Sequence, residues 1–216
     1  DSDRLSMHNE YLLESSRASG GRILPFCGLP CAGADAVVRA VEKARLDGFS
    51  GIGEIAFYSN GLSGESTGVL PALFAAARDA ALPVCMHVNE PVGHSYAGKY
   101  TTDFSALYEA IRAVPGHPVV LAHWGGGILF YELMPEVKEA FAGVYYDTAA
   151  SPFLYRDEIY AAALSITGAG KILFGSDYPL TGYRRYLEAI DGAPFTDTER
   201  RAVMGENARK LLPGSK

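Results

Sequence analysis

Two textures alternate along this chain: short, nearly continuous apolar runs, and longer segments in which apolar residues recur at helical spacing. The runs cover residues 22–29, 51–57, 83–88, 119–124, 144–148 and 172–174. Each is short enough to be a strand, and the lack of strict alternation marks strands buried on both faces. Between them lie segments that read as helices: 34–46, with Val37, Val38, Val41 and Ala44 at helical spacing before an Asp47-Gly48 stop, then 70–81, 104–113, 134–141 and 159–166. Two further helices, 183–190 and 197–212, follow the last run, the second started by a Thr196/Glu199 capping box. Residues 1–14 place Leu12 and Leu13 in a short helix with no strand before it. A Gly/Ser-rich loop at 59–68 and a long loop at 91–102 complete the pattern.

Six strands each followed by a helix predict a parallel sheet covered by helices. No internal linker or low-complexity tract divides residues 1–216, so a single domain is expected. Two architectures fit, an open doubly wound sheet and a closed (β/α)8 barrel. The chain has no GxGxxG or Walker A pattern, which weakens the first. The expected fold is therefore an α/β TIM barrel with about six of its eight βα units present.

Composition narrows the partners. With 216 residues and 48% of them hydrophobic, the chain can bury a sizeable core. A net charge of −6 offers no basic surface for nucleic acid or an anionic membrane, and the apolar runs fall far short of a membrane span. Small molecules or further copies of the chain are the expected partners. The three cysteines, Cys27, Cys31 and Cys85, make neither a paired framework nor a CxxC motif. They read as loop and strand thiols in a reducing cytoplasm, and no signal peptide is expected.

Chemistry-bearing residues gather at strand ends. Glu54, His87, His123 and Asp177 lie in or just after four different strands, positions that a barrel brings to one rim. Two imidazoles and carboxylates suit a borderline divalent cation, Zn²⁺ first, and a water bound to it would become a nucleophile near neutral pH. Asp177 is the candidate general base. Each residue has a plainer reading: a hydrogen-bonded core histidine, a turn aspartate, a buried Glu54–Arg pair. The coincidence of four in equivalent places favours the site. The loop after His87 adds Asn89, Glu90 and Lys99 as candidate substrate contacts and the rings of Tyr96 and Tyr100 near the expected metal, with Lys99 reading equally as a solvated loop lysine. Tyr131, Tyr155 and Tyr178 also follow strands and are candidates to line a pocket. His94 is at best a loop contact, and His117, in a Pro-Gly-His-Pro turn, is expected to face solvent.

The stretches PVCMHVNE, VVLAHWGGG, VYYDTAA and ILFGSDYP, with the terminal GENARKLL, resemble the amidohydrolase-related (amidohydrolase family 2) metal-dependent hydrolases of the TIM-barrel class. The resemblance implies that His87 binds metal, that His123 binds a second metal or polarises water or substrate, and that Asp177 binds metal and moves the proton. GIGEI is similar to the strand of the TatD-like branch whose Glu binds metal, which implies a ligand role for Glu54. The family hydrolyses amides, esters or lactones, or decarboxylates aromatic and related acids without oxidation. A metal-dependent hydrolase is thus the first expectation, a non-oxidative decarboxylase the alternative, and a catalytically inactive binding or scaffold barrel the reading from another class.

The sequence departs from that pattern in one respect. The family's first strand carries His-x-His, whereas here His8 stands alone in a helical segment. By strand count the first two strands are missing, so the chain is expected to be truncated, to bind metal weakly, and to associate through its open sheet edge as a homo-oligomer.

Overall fold

The computed structural model describes residues 2–30, 33–58, 61–62, 64–180 and 182–212. Cys31 and parts of the 59–68 loop lie outside the described residues. The six runs become six parallel strands: β1 (Phe26–Cys27), β2 (Gly51–Ile55), β3 (Val84–Met86), β4 (Val119–Leu121), β5 (Val144–Asp147) and β6 (Ile172–Leu173). Their order in the sheet is their order in the chain. A doubly wound sheet reverses direction at a switch point, so this unbroken order is single winding, the geometry of a partial (β/α) barrel.

Register lines up the buried residues of one face of the sheet in rows. Val84, Val119 and Val144 stand side by side in one row, and Met86, Leu121, Tyr146 and Ile172 in the next. All seven are fully buried. Burying one such side chain is worth roughly 1.5–3 kcal/mol, so these two rows fix the register: a one-residue slip would turn both to the opposite face and undo their packing.

Helices cover the sheet through their apolar stripes. In α2 (Ala34–Asp47), Val37, Val41 and Ala44 are buried and Gly48 closes the end in the left-handed conformation that favours glycine. In α3 (Leu70–Asp79), Leu70, Leu73, Phe74 and Ala77 are buried. α4 (Phe104–Arg112) starts at Asp103, whose side chain accepts the Ala106 N–H. The helices α5 (Pro135–Ala140), α6 (Ser151–Leu154), α7 (Glu158–Thr167) and α8 (Arg184–Gly192) continue the pattern.

Four features differ from the sequence expectation. The N-terminal helix, α1 (Ser2–Ala18), runs past residue 14. Only Phe26 and Cys27 of the 22–29 run pair as strand, because β1 is the outer strand and only β2 adjoins it. The single helix expected over 197–212 divides into α9 (Asp197–Arg201), a wide π turn at Ala202–Glu206 and α10 (Asn207–Leu211), with Gly205 leaving helical geometry. Its Thr196/Glu199 capping box is present as read. His117 is buried rather than solvent-facing, its Nε2 has no hydrogen-bond partner, and burial together with the nearby Arg78 charge lowers its pKa.

Just past β1, the backbone of Gly28 is bonded by a side chain. Asn9 on α1 accepts the Gly28 N–H and donates to the Gly28 carbonyl, both at 3.0 Å. Beneath the sheet, the buried Glu132 carboxylate receives Lys171 Nζ at 2.6 and 2.7 Å and the Tyr146 hydroxyl at 2.7 Å. No described helix is long and apolar enough to cross a membrane.

Candidate metal centre

Three side chains converge at the C-terminal ends of β2, β3 and β4: Glu54, His87 and His123. Each is aimed by a local device. The pairing of β2 with β3 slips between Ile52 and Ile55, and such an irregularity re-aims the side chain it carries. Gly53 sits at that slip because a Cβ there would run into the Cys85 carbonyl. His87 follows β3 directly. Its N–H donates to the Ile55 carbonyl at 2.9 Å and its carbonyl accepts the Tyr100 hydroxyl at 2.6 Å.

His123 opens a left-handed turn. From His123 through Gly127 five successive residues have positive φ, between 58° and 92°. The three glycines make this turn accessible, and Gly126 could be nothing larger, since a Cβ would strike the Asn89 carbonyl. The non-glycine start of the turn is held by Asp147, whose Oδ1 accepts the N–H of His123 at 2.9 Å and of Ala149 at 3.0 Å. Burial raises the Asp147 pKa, against the His123 charge and those two N–H groups.

His87 Nδ1 lies 3.1 Å from Glu54 Oε1 and 3.0 Å from His123 Nε2, which is 3.5 Å from the same Glu54 oxygen. Burial would raise the Glu54 pKa, but hydrogen bonds from His123 and His87 and the charge on both rings hold it at about 2. Burial likewise pushes His123 down, and the Glu54 hydrogen bond, the Asp147 and Glu54 charges and the Ala149 carbonyl overcome it, raising His123 to about 9. On its outer side His123 Nδ1 meets the Ala149 carbonyl at 3.1 Å, an acceptor that takes the Nδ1 proton. In the neutral ring this directs the Nε2 lone pair into the cluster.

The donor set fits a divalent cation. One carboxylate oxygen and two imidazole nitrogens lie within 4.8 Å of one another, and a catalytic cation of the zinc type takes three protein ligands of these kinds. Tyr58 stands at the rim with its ring 5.6 Å from the His87 ring, and Tyr100 packs 5.5 Å from His87 on the buried side.

The other sequence candidates fall differently. Asp177 is exposed, lies in a left-handed turn with φ 52°, and stands outside the three-residue cluster. Its charge is nonetheless felt at Tyr58, whose pKa is raised by burial and then by Glu54 and Asp177. Lys99 is not available to a substrate carboxylate: Nζ donates to the carbonyls of Val92 at 2.6 Å and His94 at 3.1 Å and lies 5.3 Å from the Tyr96 ring centre, clasping its own loop. Asn89 is fully buried with its carboxamide committed to Tyr100, Tyr96 and His87, so it supports the cluster instead of touching a substrate. Glu90 accepts the hydroxyls of Tyr155 at 2.8 Å and Tyr96 at 3.1 Å. Tyr178 is 80% exposed, and Tyr131 also faces solvent. His94 stays on the exposed loop, its ring against Tyr96.

Tyr100 lies beside His87, as the aromatic content of the loop after His87 suggests, whereas Asp147 and Tyr58 were not among the candidates. Asp147 ends its strand as His87 and His123 follow theirs, and that equivalence is the signal that identifies it. Tyr58 carries no comparable signal in a chain with 13 tyrosines.

The family profile described as "Amidohydrolase" matches residues 4–214. No curated protein sequence matches the chain. Among solved structures, it is similar to a 2,6-dihydroxybenzoate decarboxylase from Rhizobium, with TM-score 0.70 and 18% identity over 96% of this chain and 76% of that one. A dihydroxybenzoic acid decarboxylase from Polaromonas sp. JS666, solved with bound manganese and 2-nitroresorcinol, gives TM-score 0.71 and 16% identity over 96% and 74%. A 5-carboxyvanillate decarboxylase from Sphingomonas paucimobilis gives TM-score 0.71 and 15% identity over 97% and 72%. At these identities the likeness establishes the barrel-type fold.

Proposed function

The chain belongs to the amidohydrolase family, and from that premise we propose that it is a divalent-cation-dependent enzyme that removes the carboxylate of a small aromatic acid as CO₂, without oxidation. The observation that carries this reading is the Glu54–His87–His123 cluster at the strand ends with an aromatic ring, Tyr58, beside it. Glu54 Oε1, His87 Nδ1 and His123 Nε2 are the atoms that would hold the cation. Bound there, a divalent cation supplies a positive charge that polarises an oxygen of the acid.

The remaining steps fall to the chain's own residues. Tyr58, 60% exposed, offers a flat face against which an aromatic ring stacks. Lys99 is committed to loop carbonyls, so the acid's carboxylate is met by the cluster and not by a lysine. Asp177, whose charge reaches Tyr58, is the carboxylate that would relay a proton from solvent to the ring carbon that loses CO₂. Decarboxylase relatives of the same fold, one solved with manganese, support this reading, and two nitrogens and one oxygen suit Mn²⁺ or Zn²⁺.

Hydrolysis of an amide, ester or lactone is the second reading, favoured by the family's description. It asks for a carboxylate base beside the cation. Glu54, held to about 2, is a weak one. The full chain loaded with Mn²⁺ or Zn²⁺ and given hydroxybenzoate and lactone panels separates the two. CO₂ release from a hydroxybenzoate is expected, and acid release from lactones with no CO₂ from any benzoate would reverse the order.

A further inference from the structure

We propose that Glu90 is a positioning residue: its single carboxylate joins the two segments that hold the histidines from outside, 91–102 and 148–157, so that the two open together. The proposal rests on reading Glu54, His87 and His123 as a cation site. Glu90 lies just past the end of β3 and its side chain is half-buried. One oxygen, Oε2, accepts the Tyr96 hydroxyl at 3.1 Å, and the other, Oε1, accepts the Tyr155 hydroxyl at 2.8 Å. Tyr155 comes 65 residues later, beyond β5. Because β4 runs between β3 and β5, the carboxylate reaches across a whole strand of the sheet. Burial and the Glu90 charge raise the pKa of both phenols, Tyr96 to about 12, so both stay donors at neutral pH.

Each segment bears on one histidine. From the first, the Tyr100 hydroxyl donates to the His87 carbonyl at 2.6 Å; in the second, the Ala149 carbonyl meets His123 Nδ1 at 3.1 Å. Between them passes the left-handed turn that His123 opens, set so close to the 89–90 backbone that a Cβ on Gly126 would strike the Asn89 carbonyl and the Glu90 nitrogen. Three neighbouring strand ends thus form one layer, and Glu90 is the side chain that closes it across the middle member. Hydrogen bonds to an ionised carboxylate are among the stronger polar links in a protein, so losing either phenol shifts the layer toward an open form. Coupling of this kind is reciprocal: if freeing one segment eases the opening of the other, the reverse holds by the same factor. A carboxylate that merely capped two independent loops would transmit nothing.

Wild type, Tyr96→Phe, Tyr155→Phe and Glu90→Ala, each as the full chain, are compared by amide hydrogen exchange without cation and by visible absorption with Co²⁺. Each tyrosine variant removes one hydroxyl and keeps its ring. Tyr155→Phe is expected to raise exchange in 91–102 roughly 10-fold, and Tyr96→Phe to raise it in 148–157 by a similar factor. Glu90→Ala is expected to loosen both segments, and adding Tyr155→Phe to it should change nothing further. All three variants are expected to shift the Co²⁺ absorption bands, because the rings that hold the ion lose their fixed orientation. Exchange that rises only in the segment carrying the substitution, or Co²⁺ spectra identical in every form, overturns the proposal. Should Glu90→Ala not fold, the two tyrosine variants decide. If exchange is transmitted between the segments while no form, wild type included, binds Co²⁺, the joining role of Glu90 stands and the cation-site reading is what fails.

Discussion

The Asp147 carboxylate and the backbone N–H of His123 meet at 2.9 Å, so the residue that ends one strand holds the left-handed turn beginning at the end of its neighbour. His123 reaches the cluster from that backbone conformation. Asp147→Ala leaves two N–H groups, of His123 and Ala149, without their acceptor and is expected to lower unfolding free energy by about 2–4 kcal/mol in urea titrations. Asp147→Asn keeps an acceptor oxygen in place and is expected to lose less than about 1 kcal/mol.

Cation binding is expected to expel a proton. His123, raised to about 9 in the cation-free cluster, carries its proton on Nε2 at neutral pH, and that nitrogen must be bare to ligate. Glu54, held at about 2, is already ionised. Calorimetry in two buffers of different ionisation enthalpy at pH 7 should therefore report release of about one proton per cation, with affinity climbing as pH rises toward 9 and levelling above it.

The same shift bears on the stability of the cation-free chain. A histidine whose folded pKa lies above its unfolded value stabilises the fold fully below the unfolded value, and that stability is lost as pH rises through the folded one. For His123 the loss falls between about 6.5 and 9. Denaturant midpoints across that range should decline in the wild type and stay flatter in Glu54→Gln, which removes the carboxylate that raises His123.

Asp177 stands outside the cluster, so Asp177→Asn is expected to leave cation affinity within about twofold while turnover falls by about 100-fold or more. Affinity measured by chelator competition and turnover by CO₂ release separate the two effects.

The Glu132–Lys171 pair is a test of buried charge. Lys171→Met strands the fully buried Glu132 carboxylate, and a loss of about 3–5 kcal/mol is expected by thermal or urea unfolding. Adding Glu132→Gln should restore most of it, because the amide oxygen still accepts the Tyr146 hydroxyl.

Much of this was legible in the residues. The strand rows are readable because burial on both faces demands continuous apolar runs, and His87 and His123 because each follows such a run directly. Glu54 is readable too, although the slip that aims it is a property of pairing with β3. What escaped is what depends on how loops fold and pack, which no local pattern announces. Lys99 reads as a free cation until its own loop folds back on it, and Asn89 reads as a substrate contact until Tyr100 and Tyr96, 11 and 7 residues on, claim its carboxamide. His117 sits in a turn motif that usually faces water, and only packing buries it. The turn at His123 was half visible: three glycines announce positive φ, but the carboxylate that lets a histidine begin it comes 24 residues later.

Helix α1 also bears on the margin of the sheet, through the backbone just past β1. By returning both backbone bonds of Gly28, the Asn9 side chain does for β1 what a neighbouring strand would do, and a chain drifting past finds neither a free donor nor a free acceptor at that residue. The carboxamide is thus a guard against templated strand addition, and it works only while α1 stays docked. Freeing the helix would leave the N–H and carbonyl of Gly28 without those two bonds.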